Sequence, residues 1–239
     1  MRSITRYRIS LPLFIAGLLL SSCGEDWAFV EKTYSIAEEN DAWLPAETTD
    51  TVFRMRDNAG ITHSYLKAQE IHELDKSWGG YFGITTDITY TEYRSRSYTS
   101  TYGSEYSISL RATTWDPYGD QLRVELNGIA FRYDLGLEVL TEVSSPSFFT
   151  GSTQTSEGYD YDGTILSICE LLDTIEMNGH RYRNVLHFRL MDQPDTWNDL
   201  TVTDIFLEKG TGLIKYHLNN RIYFTRQDLK KLSTATSIK

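Results

Sequence analysis

The segment QLRVELNGIAFRYD, residues 121–134, leaves the chain little choice of local structure. Asn127-Gly128 at its centre suits a two-residue type I′ turn, because both central residues of that turn need positive φ. A turn there sets Leu126 opposite Ile129, Val124 opposite Phe131 and Leu122 opposite Tyr133. Side chains alternate faces along a strand, so these six share one face and Arg123, Glu125, Arg132 and Asp134 share the other. An antiparallel sheet with one apolar and one charged face follows.

Similar signals recur along the chain. TVFRMRD (51–57) and ITHSYLKA (61–68) flank Asn58-Ala59-Gly60, and SICELLDTIEM and HRYRNVLHFRL flank Asn178-Gly179. TGLIKYHL (211–218) and RIYFTR (221–226) flank Asn219-Asn220, with TVTDIFLEKG (201–210) as the strand before them. YFGITTDITYTEY (81–93) and SEYSISLRATTW (104–115) are rich in the Tyr, Thr and Ile that suit pleated surfaces. Adjacent Leu171 and Leu172 break strict alternation and predict a bulge or burial on both faces. Residues 64–78 read either as a short helix or as a strand running into a loop. The Tyr-, Ser- and Arg-biased segment 90–107 reads as a long exposed hairpin tip, or as a polar-aromatic recognition surface. The expected fold is mostly β with little helix: a single antiparallel β-sheet domain, an open or half-closed barrel of roughly ten strands.

The first residues carry an address. Arg2, Arg6 and Arg8 precede the apolar run ISLPLFIAGLLL, which is too short to span a bilayer comfortably. Leu20-Ser21-Ser22-Cys23 then resembles a bacterial lipobox, in which the cysteine thiol accepts diacylglycerol and becomes the first mature residue. This divides the chain into a signal peptide (1–22), an anchor cysteine and tether (23–50), an antiparallel β domain (51–226) and a polar tail (227–239). Gly24-Glu25-Asp26 resembles the acidic stretch that follows the anchor in surface-exported lipoproteins of Bacteroidota, and reads equally as a solvated tether. The expected location is the outer membrane, on its periplasmic or its cell-surface side.

Charge and cysteine count narrow the partners. Removing Arg2, Arg6 and Arg8 from the 23 basic residues leaves 20 against 33 acidic ones, a net charge of −13. Such a balance disfavours nucleic acid, which requires clustered Lys and Arg. With Cys23 committed to lipid, Cys169 has no partner for an intrachain disulfide, and within ILSICELL it reads as a small buried apolar residue.

The search for chemistry yields no catalytic signature. His63, His72, His180, His187 and His217 lack metal-ligand spacing, and no serine or thiol nucleophile motif is present. Carboxylates are abundant, but none is singled out as an acid–base pair. Asp160, Asp162 and Gly163 match part of a calcium loop whose later ligand positions hold Ile168 and Leu171, so a plain loop is the better reading. Gly210 and Gly212 lead into a strand rather than a helix, which removes a phosphate-binding reading. No metal or cofactor is expected.

Gly179-His180-Arg181-Tyr182-Arg183-Asn184-Val185, followed by Lys209-Gly210-Thr211-Gly212-Leu213-Ile214-Lys215-Tyr216, is similar to a C-terminal pattern of a Bacteroidota-type lipoprotein family. The likeness covers roughly residues 165–226 and the signal peptide. It implies an antiparallel, barrel-like β domain on an acyl anchor, and no catalytic residues.

The resulting expectation is a non-enzymatic envelope lipoprotein that binds or scaffolds. The apolar face of Leu122, Val124, Leu126, Ile129, Phe131 and Tyr133 would line a site for a lipid or other apolar ligand if it encloses a cavity. If that face is filled, Trp78, Trp115, Trp197, Tyr98 and Tyr102 become the candidates for glycan or protein recognition. A hydrolase using unplaced carboxylates is the remaining alternative. Intact-mass measurement of the chain from an envelope-competent host should find Cys23 as the first residue, carrying two or more acyl chains. Cys23→Ala should abolish both acylation and membrane retention.

Overall fold

The computed structural model describes residues 30–45, 52–81, 84–101, 103–114, 118–145, 148–150, 154–155, 158–161, 164–190, 202–219 and 221–227. The signal peptide, Cys23, Tyr102, Trp115 and Trp197 lie outside them. The strands are β1 (Val30–Tyr34), β2 (Val52–Asp57), β3 (Thr62–Tyr81), β4 (Ile84–Ser100), β5 (Glu105–Arg111), β6 (Gln121–Leu126), β7 (Ile129–Asp134) and β8 (Val139–Ser145). They continue as β9 (Phe148–Thr150), β10 (Gln154–Thr155), β11 (Gly158–Tyr161), β12 (Thr164–Met177), β13 (His180–Leu190), β14 (Val202–Glu208), β15 (Gly212–Leu218) and β16 (Ile222–Arg226). A one-turn helix, α1 (Glu38–Asp41), is the only helix among the described residues.

All these strands belong to one sheet. It runs from β10 through β16, crosses to β2, and continues to β9, with β1 added in parallel on β4. The β16–β2 ladder pairs Phe224 with Asp57, Thr225 with Arg56 and Arg226 with Met55. Two meanders thereby become one wall, a nearly closed barrel with one unsealed seam. At that seam β11 and β12 approach β8 without forming a ladder.

Turn chemistry set the best-paired parts. Asn127 and Asn178 take φ of 51° and 53°, and the glycines after them 82° and 73°, as type I′ turns demand. The register of β6 on β7 is the expected one, with Leu126↔Ile129, Val124↔Phe131 and Leu122↔Tyr133. Those six side chains are between 0 and 7% exposed.

The barrel interior, where described, is filled by its own side chains. Phe131 meets Phe188 of the opposite wall at 5.1 Å between ring centroids, and Phe53 stacks on Tyr65 at 4.8 Å. Tyr98 stacks on Tyr106 at 5.6 Å, and Tyr216 on Phe224 at 4.4 Å. The buried Tyr65 and Tyr216 hydroxyls satisfy each other at 2.8 Å, which removes the penalty of hiding two unpaired polar groups. A void wide enough for an acyl chain would leave accessible area on its lining, and Leu122, Val124, Leu126 and Phe131 have none.

Four expectations are corrected by this architecture. The sheet has more strands than the roughly ten expected: β9, β10 and β11 are two to four residues long, too short to produce a sequence period, and β1 comes from a segment expected as tether. Residues 64–78 are strand throughout, paired with β4 from Tyr65 to Tyr81. The near-helical spacing of Leu66, Ile71 and Leu74 misleads, since Leu66 and Leu74 are 49% and 54% exposed and give a helix no face to bury. Segment 90–107 is no exposed tip: Tyr93–Thr99 pairs with β5, and both Tyr98 and Tyr106 enter the core.

The fourth correction concerns residues 30–45, expected as tether. They form β1, α1 and a plug inserted at the barrel's end. Ile36, Trp43 and Leu44 are 8%, 4% and 7% exposed and join the main core. Glu92 accepts from the Ile36 amide at 2.9 Å, and Asp120 accepts from the Ala37 amide and the Asn40 side chain, each at 2.8 Å. On the far side the Gly210 amide donates to the Ala42 carbonyl, and the Lys209 ammonium lies 5.6 Å from the Trp43 ring. Among the described residues no helix is long and apolar enough to cross a membrane.

Removal of the Trp43 side chain opens the plug. Trp43→Ala should cost about 3–5 kcal/mol of unfolding free energy in a denaturant titration. The same truncation at the 62%-exposed Trp78 should change it by no more than about 0.5 kcal/mol.

Candidate functional site

The outer face of β4–β7 holds a recess of about 490 Å³. Its floor is made of serines. Ser95, Ser107 and Ser109 line it, and Ser97 stands opposite Ser107 just beside it, a two-by-two patch of side chains only two heavy atoms long. Larger residues continue the same rows in Ser109↔Arg123↔Arg132↔Glu142 and Ser107↔Glu125, the second row ending at the small, buried Ala130. A third row, Tyr93↔Arg111↔Gln121, closes one end. The trough is therefore written in residue size: short side chains between long ones on a period-2 surface.

The rim charges neutralise each other. Arg123 donates to Glu125 at 3.0 Å, Arg132 pairs with Glu142 at 2.7 Å, and Arg111 pairs with Asp75 of β3. Arg111 also lies 5.9 Å from the Tyr93 ring centroid. Ser109 is 8% exposed, and no hydrogen bond among the described residues uses the four serine hydroxyls. The surface offers donors and acceptors in pairs, an aromatic edge and no strong net field.

A second polar cluster sits on the outer face of β13–β15. Asp204 accepts from His187 Nε2 at 2.8 Å and from His217 Nδ1 at 3.1 Å, with Thr203 Oγ1 at 3.2 Å. His187 is 4% exposed and stacks on Phe206 at 3.9 Å. Burial alone would raise the Asp204 carboxyl, but the hydrogen bonds and charges of the two histidines outweigh it and hold it well below the usual carboxylate range. Both oxygens are occupied and no nucleophile adjoins His187 among the described contacts, so this is a stabilising cluster. Histidine spacing alone hid it, because it exists only once register brings His217 beside Asp204. Among the described residues no group of three or more His, Cys, Asp or Glu could hold a metal ion.

The remaining sequence candidates divide cleanly. The six apolar-face residues come together as core. Tyr98, expected at a recognition surface, is 2% exposed and packs on Phe53 and Tyr106, because its position in β4 faces inward. Trp78 is exposed on the β3–β4 hairpin. Cys169 is a free thiol packed against the core, and burial pushes its pKa up, away from the reactive thiolate. Asp160 lies in β11, paired with Ile165, so the backbone there is extended rather than wrapped as a calcium loop. The serine trough has a legible signal in the alternating Ser95, Ser97 and Ser107, Ser109: the first pair falls in the segment that reads as a hairpin tip or a recognition surface, the second in the expected strand 104–115.

No known family pattern, curated protein or solved structure matches the chain.

The depressed Asp204 carboxyl contributes stability above the ordinary aspartate value of 3.8 that is lost as pH falls below it, toward the lower folded-state value. The acid limb of wild-type stability should therefore steepen below about pH 4. Asp204→Asn should flatten that limb and lower stability at neutral pH, measured by urea unfolding at stepped pH.

Proposed function

We propose that this chain is an acyl-anchored envelope protein of non-enzymatic character, whose barrel displays the β4–β7 trough for a hydroxyl-rich ligand of the glycan class. The observation that carries the reading is the division between the two faces of one sheet. The inward face is close-packed, which removes the support for a lipid held inside the barrel. The outward face is recessed and lined by hydroxyls, paired Arg and carboxylate groups, Gln121 and Tyr93.

The chemistry suits a sugar better than the other candidate ligands. Hydroxyl pairs of a pyranose need adjacent donors and acceptors, which Arg123–Glu125 and Gln121 supply in fixed geometry. The Tyr93 ring can cover an apolar sugar face. Rim charges in neutral pairs do not select a strongly anionic ligand, and the net charge of −13 left after Arg2, Arg6 and Arg8 are removed repels one. The anchor part of the reading draws on the lipobox, on the run of small and apolar residues before Cys23, and on the C-terminal likeness.

A glycan array probed with the purified chain, covering bacterial envelope polysaccharides, host-type glycans and plant oligosaccharides, tests the reading. Binding to a restricted set is expected. Ser109→Val and Arg123→Ala should each weaken that binding at least tenfold, about 1.4 kcal/mol, while the unfolding midpoint stays within the ordinary range for surface changes. No glycan bound, with a stoichiometric lipid found by mass spectrometry of the purified protein, would reverse the assignment of the two faces.

A further inference from the structure

Register fixes the side of the domain from which its N-terminal connection leaves. β1 runs parallel to β4, with Val30 opposite Asp87 and Tyr34 opposite Thr91. The N-terminal end of β1, at Val30, is the end nearer the free end of the β3–β4 hairpin, where Tyr81 pairs with Ile84. Cys23 precedes Val30 by seven residues, a reach of at most about 25 Å when fully extended. An acyl anchor on Cys23 therefore holds this end of the hairpin within a short radius of the bilayer.

That end projects from the barrel. The last β2–β3 pair is Val52↔Leu66, and the last β4–β5 pair is Tyr93↔Arg111. Beyond them the hairpin continues for nine residues of β4, about 30 Å, and among the described strands only β1 lies along its edge. Leu74, Lys76 and Trp78 share one face of it by alternation. Leu74 is 54% and Trp78 62% exposed, and the Lys76 ammonium stands 4.1 Å from the Trp78 ring and 5.6 Å from that of Tyr90.

We propose that the free end of the β3–β4 hairpin is an interfacial foot, resting on the bilayer beside the anchor with Trp78 at headgroup depth. The proposal rests on the anchored reading of Cys23. An indole matches this environment because its ring prefers the acyl boundary while its N–H reaches the wet headgroups, and a lysine beside it keeps its ammonium in water along an apolar stem. The foot is apolar rather than electrostatic in character: over residues 67–81 and 84–92, Glu70, Glu73, Asp75, Asp87 and Glu92 outnumber Lys67 and Lys76. Its contact should therefore withstand salt and need no anionic lipid. The anchor fixes a point, and the foot adds the second contact needed to orient the barrel and its trough.

The test uses the full chain made in an envelope-competent host and reconstituted into phosphatidylethanolamine–phosphatidylglycerol vesicles. A portion of the lipid is brominated near the headgroup end of its acyl chains. The difference in tryptophan emission between wild type and Trp78→Phe isolates Trp78 from the other four indoles, and intact mass reports the state of Cys23. Quenching of this difference emission by brominated lipid, unchanged in high salt, is the expected result. An acylated chain whose Trp78 emission is not quenched overturns the foot and leaves the anchor standing. A bare Cys23 overturns the anchor by itself. The foot is then decided by whether the unacylated chain, mixed with the same vesicles, still shows Trp78 quenching. An unchanged unfolding midpoint for Trp78→Phe confirms that the comparison is between folded proteins.

Discussion

The ladder between β16 and β2 is the contact on which the rest of the molecule depends. It joins elements separated by most of the domain's length, and only three residue pairs make it. Its effect is out of proportion to its size, because it turns a sheet with two long edges into a wall around a core. Phe53 and Met55 on β2 and Phe224 on β16 are 2%, 0% and 7% exposed only while that wall holds. Arg226 reinforces the joint from inside: its guanidinium lies 4.9 Å from the Phe53 ring and donates to the Thr211 carbonyl at 2.7 Å. Loop closure over so long a span carries a large entropic cost, offset by the apolar area that closure hides.

A barrel end is a second place where a core meets water, and here the N-terminal plug covers it. Trp43 supplies the apolar area, while Glu92 and Asp120 satisfy backbone donors that burial would otherwise leave unpaired. Glu92 also accepts from His72 at 2.9 Å and from Arg94 at 2.7 Å, and Arg94 reaches Asp41 of α1 at 2.8 Å. The plug is thus held by a charged network on one side and by the β14–β15 turn on the other. A pull on the N-terminal side of Val30 would reach the β1–β4 ladder before this network, because β1 precedes Ile36, Ala37 and Asn40 in the chain. The short parallel β1–β4 ladder would carry that load along the hairpin before it reached the core.

How far the sequence reveals this depends on the range of the interactions. Asn127-Gly128 and Asn178-Gly179 specify turn type locally, and their hairpins have the register that turn type dictates. The apolar set from Leu122 to Tyr133 was legible for the same reason. Its role as filled core was not, because whether two walls touch depends on barrel closure, and no residue in β6 or β7 encodes the β16–β2 pairing. Tyr98 shows the same limit from another side. Tyrosine serves equally in a core and at a binding surface, so only its phase within β4, set by β5, decides which way it points. The Asp204 cluster needed two registers at once. The plug was missed because an irregular acidic text resembles a tether until its Trp and Leu find a barrel end to fill.

Tyrosine's presence on both sides of this sheet bears on where recognition can occur. Tyr65, Tyr106 and Tyr216 are fully buried; the Tyr65 and Tyr216 hydroxyls pair with each other, and desolvation pushes the pKa of all three up. A core built from such large, rigid rings packs without leaving a ligand-sized space, and its specificity lies in fitting itself. What remains variable without penalty to closure is the outward half of each strand. On β4 and β5 that half holds Ser95, Ser97, Ser107 and Ser109 where β6 carries Arg123 and Glu125, so the wall is low in side-chain height there, over a filled core. A rigid floor of this kind loses little conformational freedom when a ligand settles on it. The residues that close the barrel thereby also fix the geometry of the trough outside it.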